Sequence, residues 1–156
     1  MVKNYLKWLW KVIRKPNEHQ ALKKYLLFRE LNPFELSLVN ACLHNREYRA
    51  GEVLFEEGHP LEVLFFIVSG EMQVTGKLNP QGSAVLKKHQ FIGVIDLFGN
   101  NKRSGSATAL TDLSVLALTE SDFQDLISKN KRLGNKLLKA CGKFLASYLQ
   151  DMGSGY

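Results

Sequence analysis

The stretch "FIGVIDLFGNNKRSGSATAL", residues 91–110, sets a glycine at the head of a short apolar segment and an arginine ten residues further on. Glycine permits a close turn there, and the residues from Val94 onward can form one helical turn whose free N–H groups face an anion. Arg103 would close such a pocket with its forked guanidinium, and the small hydroxyl residues Ser104 and Ser106 follow it. In isolation the same letters also describe a surface turn with one solvated arginine. The flanking sequence decides between them.

On both sides of the stretch, from Glu47 to Leu118, lie short runs rich in Val, Ile, Leu, Phe and Thr: "EVLFEEG", "VLFFIVSG", "EMQVTGK", "SAVLKKH", "ATALT" and "SVLAL". Glycine and asparagine turns separate them and leave little room for helices, so the strands must pair antiparallel, as parallel pairs need long crossovers. "NPQG" at 79–82 reads as a hairpin turn, with Pro80 holding its φ and Gly82 taking a positive one.

Helical periodicity frames this β region. "MVKNYLKWLWKVIRKP", residues 1–16, reads as an amphipathic basic helix stopped at Pro16, with Lys3, Lys7 and Lys11 recurring every four residues beside Trp8 and Trp10. A helical lead-in over 17–46 follows, containing "EHQALKKYLLFREL" and then "NPFELSLVNACL" with Pro33 and Glu35 in a first turn. Beyond the β region of 47–118, residues 119–152 read as two helices. Thr119 caps the first, and Leu133, Leu137, Cys141, Phe144 and Tyr148 form one stripe of the second. That stripe packs either on the domain's own body or on a second copy.

The formal charge of +6 is concentrated at one end. Residues 1–30 hold eight Lys/Arg against Glu18 and Glu30, and the remainder is neutral. A nucleic-acid wrapper would carry its charge on the folded body, so the asymmetry points to an N-terminal arm with its own partner. Tryptophan, tyrosine and leucine interleaved with lysine suit an anionic membrane surface, reached by residues 1–15; packing of those tryptophans onto the β region or onto a partner subunit is the alternative. No apolar run approaches the ~20 residues needed to cross a bilayer. Cys42 and Cys141, and four scattered histidines, form neither a disulfide framework nor metal-ligand spacing. Nor do an acid, a base and a nucleophile converge, so no enzyme and no cofactor are expected.

Helices, about eight short strands with glycines at 51, 58 and 70, the glycine-to-arginine segment, then two helices: this order resembles the cyclic nucleotide-binding domain family. The resemblance runs from about Leu31 to Tyr148. "AGEVLFEEGHPLEVLFFIVSGEMQV" looks like that family's first half, and "FIGVIDLFGNNKRSGSATALTDLSVLAL" like its phosphate-binding cassette, here 91–106. It implies a mainly β fold, an antiparallel β-roll of jelly-roll type with N-terminal helices and two C-terminal helices. It also implies a stand-alone, divergent regulatory module for cyclic AMP or cyclic GMP, cytoplasmic or peripheral at the inner membrane face, with a homodimer through the last helix as a further option. No helix-turn-helix follows Met152, so direct DNA binding is not expected.

Position by position, the resemblance places the ligand contacts at Gly93, Val94, Ile95, Asp96, Arg103 and Ser104. Arg103 stands where the family's arginine pairs with the cyclic phosphate, and Ser104 where a backbone N–H meets it. Val94 departs from the pattern: the family has a glutamate there that accepts from the ribose 2′-hydroxyl, and an unpaired buried hydroxyl costs ~1–3 kcal/mol. Asp96 departs as well, placing a carboxylate where the family has a small neutral residue. Either Asp96 faces solvent and caps its own turn, or it pairs with Arg103 and stands in for the phosphate. The competing function is a scaffold that keeps the β-roll, has lost the ligand and acts through its helical ends.

Overall fold

The computed structural model describes residues 19–153. The basic helix read over 1–16, and with it the membrane-facing segment 1–15, lies outside the described residues. Among the described residues eight antiparallel strands form two four-stranded sheets: β1 (His44–Tyr48), β2 (Val53–Phe55), β3 (Val63–Ser69), β4 (Met72–Gly76), β5 (Ser83–Leu86), β6 (Phe91–Ile92), β7 (Gly105–Ala109) and β8 (Leu113–Thr119). One sheet runs β1-β8-β3-β6 and the other β2-β7-β4-β5. The antiparallel pairing is the one expected from the strand spacing, and the β-roll is the one implied by the family resemblance.

The strand sequence explains the layers. Along β3, Val63, Phe65 and Ile67 point between the sheets, where they meet Met72, Ala107 and Val115. Leu64 and Phe66 point the other way, into a second core shared with the helices. A strand buried on both faces must be apolar throughout, which is why "VLFFIV" shows no alternation. The hairpin at 79–82 closes as read, with the Gly82 N–H donating to Asn79 O at 2.8 Å and Gly82 at φ 80°.

Helix α1 (Pro33–Cys42) starts at a reciprocal cap: Asn32 Oδ1 accepts the Glu35 N–H, and the Glu35 carboxylate accepts the Asn32 N–H. α2 (Val94–Phe98) lies in the cassette, and α3 (Glu120–Lys129) is capped by Thr119 Oγ1, which accepts the Asp122 N–H at 3.1 Å. The lead-in "EHQALKKYLLFREL" departs from a continuous helix: it forms two 3₁₀ turns, Ala21–Lys24 and Leu26–Phe28, parted by an extended Tyr25. The cause is tertiary. Tyr25 is drawn inward, its hydroxyl donating to Ile67 O at 2.7 Å and its ring set edge-on against Phe66.

The last helix, α4 (Lys131–Gly153), turns the predicted stripe onto the domain itself. Leu133, Leu137 and Cys141 are fully buried, Phe144 lies 4.8 Å from Phe91, and the Tyr148 hydroxyl donates to Leu78 O. Burial pushes the Cys141 thiol up to about 12, so it behaves as a packed apolar group. Leu138, Leu149 and Met152 of the same helix are exposed. No described helix is long and apolar enough to cross a membrane, and no described cluster of three His, Cys, Asp or Glu could hold a metal ion.

Candidate functional site

The quoted stretch folds as a strand, a turn, a short helix and a loop that returns to the sheet. β6 ends at Ile92, and Gly93 takes φ 119°. The conformation favours glycine, and a Cβ at Gly93 would lie 2.5 Å from Leu64 Cδ2, so that side chain would have to shift. After α2, residues 101–103 are strapped to the segment before β3. The Leu61 N–H donates to Asn101 O, the Arg103 N–H to His59 O and the Gly58 N–H to Arg103 O, each at 2.8 Å. Gly105 then faces Gly76 across the β4–β7 pair so closely that a side chain at Gly105 would collide with the Thr75 carbonyl. These two glycines bring the cassette's exit against the floor of the site.

A cavity of about 420 Å³ lies between this cassette, strands β4 and β5, and α4. Val74, Leu86, Ile92 and Val94 make one wall apolar, and Phe144 and Tyr148 cover it from α4. Gly93, Ile95, Asp96 and Ser104 complete the cassette side, so five of the six sequence-derived contact residues line one space. Arg103 is the exception. The cavity reaches Phe55 but not Arg103, whose guanidinium carbon sits 3.8 Å from the Phe55 ring centroid.

Arg103 is only 4% exposed, and its Nη2 donates to Val63 O at 2.6 Å. Its Nε and Nη1 have no hydrogen-bond partner. Burial pulls its pKa down to about 10, against the upward pull of Asp96 and Glu62, so the side chain remains a cation at neutral pH. Desolvated donors without acceptors are costly, and an anion would satisfy them.

Asp96 follows neither sequence-level alternative. It is 6% exposed, which excludes the solvated cap, and it forms no ion pair with Arg103. Instead its Oδ1 accepts the Ser104 N–H at 3.1 Å, while its main-chain oxygen accepts from Gly99 and Asn101. The reason is local. Asp96 is the third residue of α2, and the returning loop brings Ser104 back over the first turn. Val94 is fully buried and presents no acceptor to a ligand hydroxyl.

Fold and cassette together match one known family: the model of the cyclic nucleotide-binding domain covers residues 45–130. The chain belongs to the cyclic nucleotide-binding domain family. Like other members it has relatives among regulatory proteins. It is 33% identical to a cyclic nucleotide-gated potassium channel of Mesorhizobium japonicum over 107 residues, 69% of this chain and 29% of the channel. It is 28% identical to the cAMP-dependent protein kinase regulatory subunit of Colletotrichum orbiculare over 106 residues, 68% of this chain and 27% of that one. The chain thus spans under a third of these relatives. Among solved structures, the N-terminal domain of a transcriptional regulator from Streptomyces coelicolor superposes with a TM-score of 0.69 at 27% identity, covering 81% of this chain and 93% of that one.

For this cyclic nucleotide-binding domain, several site residues went unread in the sequence. Phe55 and the Val63 carbonyl hold Arg103, yet both come from β strands that carry only a hydrophobic pattern. Phe144 and Tyr148 were visible as helical spacing, which is silent about what the stripe covers. The Gly76–Gly105 pair did leave a trace, as glycines inside two strand patterns mark close backbone approach.

Proposed function

We propose that this chain is a non-enzymatic regulatory module that binds cyclic AMP or cyclic GMP weakly through a degenerate phosphate cassette. The supporting observation is Arg103, a buried cation whose Nε and Nη1 are left unpaired and whose chain neighbour Ser104 lines the cavity. Val94 weakens the site by removing the ribose acceptor, a loss of about one to two decades of affinity. Phe144 and Tyr148 link the cavity to α4, which gives ligand occupancy a path to the chain's end. Isothermal titration of cyclic AMP and cyclic GMP against the wild type and Arg103→Ala tests this: weak binding by the wild type that Arg103→Ala abolishes is expected, and equal binding by both sinks it.

The scaffold reading is favoured by one observation, the Asp96 carboxylate bonded to the Ser104 N–H. Under it neither cyclic nucleotide binds and the helical ends carry the activity. A second-copy interface through Leu133, Leu137, Cys141, Phe144 and Tyr148 gains no support, because those side chains cover the chain's own core and cavity. A peripheral membrane role through residues 1–15 is supported by charge alone. Arg29, Lys139 and Lys143 line a small cavity with Lys136 and Glu30.

A further inference from the structure

We propose that Asp96 is the site's internal occupant of the phosphate position, and that its carboxylate sets how well the pocket accepts an anionic ligand. The inference rests on the cyclic nucleotide reading above and concerns what limits it. Asp96 and Ser104 both line the cavity, and the 3.1 Å bond from the Ser104 N–H to the buried Asp96 Oδ1 is partly buried. One N–H donates one strong hydrogen bond, so a phosphate oxygen must displace the carboxylate to obtain it. Until the carboxylate leaves, two anions would share a poorly solvated space, where like charges repel far more than in water.

The nearby cation attracts the carboxylate but makes no direct pair with it. Arg103 turns its Nη2 onto Val63 O and lies over Phe55, with Nε and Nη1 unpaired. The carboxylate therefore fills one half of the phosphate's hydrogen-bonding set, the Ser104 N–H, and leaves the other half, the Arg103 donors, unused. The same bond also closes the cassette loop, because the Asp96 main-chain oxygen already accepts from Gly99 and Asn101. An uncharged nucleoside makes no demand on the Ser104 N–H and escapes the penalty.

The test compares cyclic AMP with adenosine by calorimetry on the full chain, as wild type, Asp96→Ser and Asp96→Asn, each checked for folding by thermal melt. Asp96→Asn keeps the acceptor without the charge, whereas Asp96→Ser removes both reach and charge. Cyclic AMP affinity is expected to rise roughly ten- to hundredfold in Asp96→Ser and by less in Asp96→Asn, with the response to adenosine unchanged. Equal cyclic AMP affinity in the wild type and both variants overturns the proposal while leaving the cyclic nucleotide reading in place. A lower melting temperature with no gain in affinity reduces Asp96 to a loop brace and overturns it too. Absence of cyclic AMP binding in all three proteins removes the cyclic nucleotide reading itself, and the proposal with it.

Discussion

Burying a guanidinium with only one nitrogen paired works against the stability of the domain, and Arg103 does this in the middle of the fold. Its pKa of about 10 lies below the ordinary value of 12.5 because desolvation outweighs the attraction of Asp96 and Glu62. Between those two values the unfolded chain binds more protons than the folded one, so this residue makes stability rise with pH across the window. Below about 10 its cost is fully present. Arg103→Met keeps an apolar stem against Phe55 and removes the unpaired donors. It is expected to raise the stability of the ligand-free domain by about 1–3 kcal/mol at neutral pH in denaturant titrations, with the gain shrinking above pH 10. At this scale the sequence named Gly93, Asp96 and Ser104, which line one cavity, and Arg103, which lies outside that lining over Phe55. It could not announce their partners, because Val63 and Phe55 reach Arg103 only across the sheets.

Among the elements, α4 has the most to hold together. It is clamped to α1 by Lys136, whose ammonium donates to both carboxylate oxygens of Glu35 at 2.8 and 3.1 Å. Glu35 is 2% exposed, so removing the lysine strands a buried carboxylate that retains only its bond from the Asn32 N–H. Lys136 is partly exposed, which lets water soften the loss. Lys136→Met is expected to destabilise by about 1–3 kcal/mol in urea unfolding, and Glu35→Gln added to it to recover part of that loss. The capping box of α1 and the Thr119 cap were readable as local motifs. The lead-in was not, because Tyr25 breaks its helix to reach a carbonyl on β3, and no spacing within "EHQALKKYLLFREL" reports a partner 42 residues away.

Across the whole molecule, charge and apolar surface are divided between ends. The first 30 residues hold the net +6 and the remainder is neutral, so attraction to an anionic surface is expected to come from the N-terminal end. Vesicles containing phosphatidylglycerol should therefore sediment the full chain, and neutral phosphatidylcholine vesicles should not. Deletion of residues 1–15 should abolish the effect at ~0.15 M salt, and equal sedimentation of the deleted chain would show that the folded body suffices. The sequence by itself determined short antiparallel strands, their turns and the composition of the cassette, because strand-forming runs, glycine conformations and helix caps are properties of neighbouring residues. Only the tertiary structure decided which partners the cassette residues take. The Asp96 carboxylate meets the Ser104 N–H, Arg103 turns onto Val63 and Phe55, and Phe144 and Tyr148 cover the cavity, because contacts between distant segments are set by how the layers pack.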